Sequence, residues 1–310
     1  MTSPDTRQIR ERVLRALQAA RTPGFHFPGY FLDIRWETVT SAYSKLSMPD
    51  GPHLRNAQGD VDLLAVCVLA DTALGTAVRA RDRTSGRLST IHLQLQFTGV
   101  VARGGLQAEA QLLHTSTDTK LQQRLSSVVL LANGEKICYG SGAFVCLEAP
   151  PDVALGPLPW QGRIAAKKEP ISEEKLSAEE SQAMQHCDLQ LASDDRAFIE
   201  QFWIGPASRN ASDGLEFPTG AHTTNRVGHV QGGLLVGAAA LAGIVAAPPG
   251  MRLSNISAWF LSPGRGTLRV RSEILHRGRN TALAKCVIET DTGEAILRAM
   301  TQHVSIATTE

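Results

Sequence analysis

The stretch that most limits how this chain can fold is Asn225 to Ala247, NRVGHVQGGLLVGAAALAGIVAA. After a polar head and the pair Gly232-Gly233, the fourteen residues from Leu234 to Ala247 carry no charge and are stopped by Pro248-Pro249. A helix that is apolar or small on every side must be covered on all faces by the rest of the protein. Two glycines at its start let another group approach the backbone where the first N–H groups lack intrahelical acceptors. Such a start offers a place for an anion or a carbonyl oxygen.

An earlier stretch, Gly59 to Arg79, has the same layout with different chemistry. GDVDLLAVCVLAD from Gly59 lies over GHVQGGLLVGAAA from Gly228. RGGLQAEAQLLHTSTDT from Arg103 lies over RGTLRVRSEILHRGRNT from Arg265, which brings His114 onto His276. NGEKICYGSGAFV from Asn133 lies over TGEAILRAMTQHV from Thr292. Three blocks in the same order imply two fused copies of one fold, making within one chain the dimer that a single copy would make between chains.

The rest of the chain can be placed around these blocks. Ile9, Val13, Leu14 and Leu17 recur at helical spacing, so residues 5–20 are expected to form an amphipathic helix. Tyr30 to Met48 suggests two strands after a turn at Phe25-His26-Phe27-Pro28-Gly29. Following the helix from Gly59, period-two alternation marks strands at Leu88 to Phe97, Leu106 to Leu113 and Arg124 to Leu131. Asn133-Gly134 is a hairpin turn leading to a last strand, Lys136 to Leu147. The class is α+β, a curled antiparallel sheet around a helix, made twice. The expected division is a first domain at 1–148, a proline-rich and charged linker at 149–178, and a second domain at 179–310. Further helices are expected at Ile171 to Gln185 and Asp194 to Phe202.

Composition removes several classes. A net charge of +1 gives no field that would draw nucleic acid or an anionic membrane. The five cysteines are widely spaced within apolar runs, which reads as a reduced, cytoplasmic protein. The amino terminus lacks the continuous apolar core of a signal peptide, and Leu234 to Ala247 is shorter than the roughly 20 residues that span a bilayer. There is no G-x-S-x-G, C-x-x-C, H-E-x-x-H or G-x-x-x-x-G-K, so neither metal nor cofactor is expected.

The residues N-x-x-G-x-x-x-G-G before an apolar helix, then FLSPGRGTL, HRGRNT and DTGE, resemble the hotdog fold. More specifically they are similar to the phenylacetate-pathway type of hotdog acyl-CoA thioesterase. Leu69-Ala70-Asp71-Thr72-Ala73 looks like that family's L-A-D-T-A, whose aspartate drives hydrolysis. The resemblance covers about 90 residues of each half. It implies a double hotdog acting on acyl-CoA, with coenzyme A entering only as part of the substrate and further pairing into a homodimer of double hotdogs.

The resemblance also implies sites built jointly, a glycine-rich helix start from one copy facing a carboxylate from the other. The first copy keeps Asp71 but has Asp62-Leu63-Leu64 where the family carries His-Gly-Gly. The second keeps Gln231-Gly232-Gly233 but has Ala240 in place of the aspartate. One working site is therefore expected, Asp71 against Gly232-Gly233, and the opposite one should be dead. Asp71 would act as base toward water or as nucleophile toward the thioester carbonyl. Gly232 and Gly233 would stabilise the oxyanion, and Asn225 would contact the carbonyl or the water. Thr72 and Thr76 would orient the carboxylate, and Arg277 and Arg279 would bind coenzyme A phosphates.

Each residue also has a structural reading. Asp71 could hydrogen-bond a backbone group, the glycines could permit close packing, Asn225 could organise its turn, and a helical threonine bonds back to its own turn. Arginines in a hairpin are commonly solvated. Gln231, not His229, occupies the family's histidine position. The small residues Gly237 to Gly243 leave room for an acyl group, with Trp259 and Phe260 as walls. Two alternatives stand beside hydrolysis. His26 in Phe25-His26-Phe27-Pro28-Gly29 resembles the H-F-P-G of hotdog dehydratases, which would make the protein an enoyl-CoA hydratase or dehydratase. It could also be a non-catalytic acyl-CoA binder.

Overall fold

The computed structural model describes residues 4–22, 24–81, 86–116, 123–148, 157–161, 169–193, 197–204 and 215–306. Of the expected linker, 149–156 and 162–168 lie outside the described residues.

Two helices too apolar to face water organise the architecture. Helix α3, Leu63–Arg81, and helix α6, Gly232–Ala246, pack against each other. Along an 18-residue window, Leu63–Ala80, α3 has a mean hydropathy of 1.6, long and apolar enough to cross a membrane by that test alone. Here its apolar faces are taken up by α6 and by β2, β4 and β5 of the sheet. Its residues Leu64, Ala65, Cys67, Val68, Leu69 and Ala70 are wholly buried.

The strands are β1 (Arg35–Val39), β2 (Tyr43–Met48), β3 (Arg87–Phe97), β4 (Leu106–Thr115), β5 (Gln123–Ala132) and β6 (Glu135–Leu147) before residue 150. After it come β7 (Leu215–Phe217), β8 (Met251–Phe260), β9 (Leu268–Arg277), β10 (Thr281–Thr290) and β11 (Ala295–Ser305). All eleven join one antiparallel sheet in the order β1-β2-β4-β5-β6-β3-β8-β11-β10-β9-β7. Outward from the β3–β8 seam the pattern is the same in both directions. β3-β6-β5-β4 follows α3 and β8-β11-β10-β9 follows α6.

The likeness extends to single bonds. Val61 N–H donates to Ala102 O at 2.8 Å, and Val230 N–H donates to Gly264 O at 3.0 Å. A bulge skips Leu113 in β4 and Leu275 in β9, each just before the aligned histidines. Gly134 at φ +82° and Asn133 at φ +49° form the left-handed pair that the Asn-Gly hairpin between β5 and β6 requires.

Three expected elements differ. Phe25-His26-Phe27-Pro28-Gly29 is not a plain turn but the start of α2, Phe27–Phe31, capped by His26 Nδ1 accepting from Gly29 N–H at 3.1 Å. Proline is tolerated in a first turn because its missing N–H has no helical acceptor there. The helix expected from Ile171 begins at Ala178 as α4 (Ala178–Leu191), where Ser177 and Glu180 form a capping box. Residues 173–175 make only a 3-10 turn, so α4 starts within the expected linker's final residues. The helix expected from Asp194 is α5, Phe198–Ile204, whose Phe202 and Trp203 rings pack on Phe31 of α2. The amino-terminal helix is α1, Pro4–Ala20, tied to α4 by Arg10–Asp188 and Arg21–Glu180 pairs.

Helix α3 starts at Leu63 rather than Gly59, at the position the repeat lays over Gly232 of α6, and Asp62 caps it, accepting from Leu64 N–H at 2.8 Å. Asp62 is 1% exposed. Burial first, and then Glu200, which also shares a hydrogen bond with it, raise its carboxyl well above the usual range. A carboxyl raised on folding contributes stability in full below its unfolded pKa, about 4, and loses it as pH rises through the folded value. Asp62→Asn keeps the capping oxygen. Its melting temperature should therefore gain on the wild type as pH is raised from about 5 to about 9, and a constant difference would refute the assignment.

Candidate active site

At the α3–α6 crossing the backbones touch. A Cβ on Gly233 would lie 2.5 Å from Cys67 O and 2.6 Å from Val68 Cα. Asp71 lies one turn beyond Cys67, so the same crossing brings its carboxylate against the start of α6. A Cβ on Gly232 would stand 3.0 Å from Asp71 Oδ2.

Three donors from two parts of the chain hold this carboxylate. Gln231 Nε2 donates to Oδ2 at 2.8 Å, Thr90 Oγ1 donates to Oδ1 at 3.2 Å, and the Gly233 N–H donates as well. Burial nevertheless prevails and pushes the Asp71 carboxyl up to about 6, against the lowering effects of Thr90, Gly233 and Gln231. Gln231 also caps α6, its Oε1 accepting from Leu234 N–H at 2.9 Å. One side chain thus orders both the helix start and the carboxylate.

Asp71 opens onto a cavity of about 450 Å³. Asp71, Thr72, Thr76, Asn225 and Gly232 all line it, and Gly233 does not. Thr76 donates to Thr72 O at 2.7 Å and accepts from Trp36 Nε1 at 3.1 Å, so its hydroxyl steadies the helix and a wall tryptophan. The buried Thr72 hydroxyl has no hydrogen-bond partner among the described residues. Asn225 Oδ1 accepts from the N–H groups of Val227 and His229 at 3.0 and 3.1 Å. Asn56 does the same with Gln58 and Asp60 in the first half, which marks a shared turn device. What Asn225 can offer the cavity is its carboxamide nitrogen.

Arg277 and Arg279 do not line the cavity. Arg277 ends β9, and Arg279 follows in the turn to β10. The arginines in the wall are Arg79, Arg87 and Arg226. Phe260 is in the wall as expected, but Trp259 points outward, 43% exposed and against the His92 ring. Alternation along β8 puts Trp259 on the face opposite Phe260. Gly237 and Gly243 also stay out of the cavity. A Cβ on Gly237 would meet Leu64, and one on Gly243 would meet Thr301. Those glycines serve packing, and the glycine that borders the cavity on a helix flank is Gly75 of α3. His229 lines the wall with Nε2 bonded to Arg265, and burial, Arg265 and Arg87 push it down to about 4.

No protein-family model matches the chain, and no curated protein sequence does. Solved structures do match. A protein described as an oleoyl thioesterase from Lactobacillus plantarum is 10% identical, with a TM-score of 0.52 over 86% of this chain and 98% of its own. A TesB protein of Mycobacterium avium subs paratuberculosis is 13% identical, with a TM-score of 0.51 over 88% and 96%. A protein of unknown function with a hot dog fold from Alicyclobacillus acidocaldarius is 8% identical, with a TM-score of 0.50 over 85% and 94%. At such identities the likeness is one of fold. The chain is similar to hotdog proteins over most of its length, and one of these three is described as a thioesterase.

Proposed function

We propose that this protein hydrolyses an acyl-CoA thioester to free acid and coenzyme A, at one composite site per chain, within two fused hotdog copies. The observation that carries the reading is Asp71 of α3 held against the Gly232–Gly233 start of α6, on a cavity large enough for an acyl group. Asp71 acts as base toward water or as nucleophile toward the thioester carbonyl; with its pKa at about 6 it is ionised at neutral pH and more basic than an ordinary carboxylate. The two glycines divide their work. Gly233 gives its N–H to Asp71, and Gly232, which borders the cavity, gives its own to the developing oxyanion, a donor worth about 3 kcal/mol.

The opposite combination lacks these groups. Asp62 and Leu64 are buried, Leu64 fills the space beside Gly237, and Ala240 has no carboxylate to offer. One observation favours a second reading, an enoyl-CoA hydratase or dehydratase, because His26 lines the same cavity as Asp71. Its chemistry argues otherwise. Burial, then Arg226, push His26 down to about 3, and Nδ1 already accepts from Gly29. The neutral ring therefore carries its proton on Nε2 and can donate but not abstract.

The test is thiol release from short, medium, long and aromatic acyl-CoAs by the purified protein. Release from any of them upholds hydrolysis, whereas loss of enoyl absorbance without thiol would replace it with hydration. The pH–rate profile should rise through about pH 6 and then level. Thr90→Val removes a donor that favours the ionised carboxylate, so the rising limb should move upward by roughly one pH unit. An unmoved limb would detach the profile from Asp71.

A further inference from the structure

Part of the cavity wall comes from outside the repeated blocks. Within the segment joining the two halves, Leu158, Pro159 and Trp160 all line the cavity onto which Asp71 opens. They belong to a self-contained turn. Gln161 N–H donates to Leu158 O at 2.9 Å, and Leu158 N–H donates to Gln161 Oε1 at 3.1 Å. Proline at the second position of such a turn has its φ already set, so little freedom is lost in ordering it. Leu158 is only 7% exposed although it lies in no helix or strand, and Trp160 is half-buried. The turn sits where the cavity is apolar. Trp36 of β1 is pinned by its Nε1 bond to Thr76, five residues beyond Asp71 on α3, or about 7.5 Å at the helical rise. Two rings converge on Trp36, Phe25 edge-on at 4.5 Å and Trp160 tilted at 6.2 Å. Between Asp71 and Thr76 the helix flank presents Gly75, beside Leu88 and Phe144.

We propose that Trp160, backed by Leu158, is the end wall of the acyl pocket and sets the longest acyl chain that the site accepts. The inference rests on the hydrolase reading for its ligand, and on the linker turn for its location. A medium-length aliphatic chain, its carbonyl at Asp71, runs past Gly75 and stops against the Trp160 ring. Gly75 puts no side chain in that path, and the bulk stands at its end. Trp36 is tied to α3 through Thr76 and the linker turn is tied to itself, so neither ring yields without breaking a hydrogen bond or leaving its contacts. A methylene that does not fit an apolar pocket changes specificity by about 10- to 200-fold. Because the turn lies outside the repeated blocks, neither copy of the fold dictates its side chains. Chain-length selection is thereby assigned to the segment that joins the copies.

The experiment measures kcat/KM for thiol release from straight-chain acyl-CoAs, butanoyl to hexadecanoyl, with the full-length wild type, Trp160→Ala, Leu158→Ala and Trp160→Phe. Affinity for alkyl-CoA thioethers of the same lengths is measured alongside, because these bind without reacting. The ratio of long-chain to medium-chain kcat/KM should rise roughly 10- to 100-fold in Trp160→Ala and by less in Leu158→Ala. Trp160→Phe, which keeps a ring in place, should stay nearer the wild type. Thioether affinities should shift the same way with length. A ratio unchanged in both alanine variants overturns the proposal, even where Asp71-dependent hydrolysis is intact. So does an equal fall at every length, which would make the turn a structural support only. A length-dependent shift in thioether binding, with no thiol released from any substrate, would instead uphold the wall and reject hydrolysis.

Discussion

Asp71→Asn should lower thiol release from the best acyl-CoA by roughly 10²- to 10⁴-fold, the range that loss of a positioned base or nucleophile produces. The same variant should melt at the same temperature as the wild type or above it. Burial raises the Asp71 carboxyl to about 6. Keeping it ionised at higher pH therefore opposes folding by about 3 kcal/mol, to order of magnitude. An asparagine can keep the Gln231 donor on its oxygen while its NH₂ donates to Thr90, whose hydroxyl can turn round to accept. Opposite changes in rate and stability are what a functional carboxylate predicts. A variant that hydrolyses normally, or one that loses activity only by unfolding, would remove Asp71 from the mechanism.

Gly233→Ala should cost about 2–3 kcal/mol of stability, near the upper range for overpacking, because its Cβ would overlap the backbone of α3 at Cys67 and Val68. Backbone atoms cannot step aside as a flexible side chain can, so the two helices must separate. Gly232→Ala is the contrasting change. Its Cβ meets only the end of the Asp71 side chain, at 3.0 Å. It should fold with a loss of less than about 1 kcal/mol and still lose rate, because the carboxylate must shift. Thermal melts and thiol release on the two variants separate the roles. Equal melting temperatures for both would contradict the crossing geometry.

Much of this site could be read in the chain because its informative signals are local. The uncharged run after Gly232-Gly233, the lone Asp71 in an apolar helix and the Asn133-Gly134 turn each act through neighbours within a few residues. The aligned blocks anticipated even the matching strand order beside α3 and α6. What stayed hidden depends on partners far away. Gln231 reaches Asp71 across 160 residues, and nothing local distinguishes it from an ordinary helix cap. Thr90 is one polar position in an alternating strand. Arg277 and Arg279 have the right chemistry for phosphate, but the curl of the sheet leaves them outside the cavity wall. Arg226, which does line the cavity, carried one visible sign, its place beside Asn225 in the loop before the glycines.

The β3–β8 seam has a consequence for how the chain becomes competent. Asp71 precedes the seam and Gln231 follows the second half's opening turn, so their hydrogen bond closes a loop of 160 residues. Contacts of such separation carry a large ordering cost before they return any free energy, and they form late and slowly. During refolding from denaturant, secondary structure within each half should therefore return well before activity does. The lag between the two signals would time the joining of the halves, with the protein acting as its own reporter of that final step.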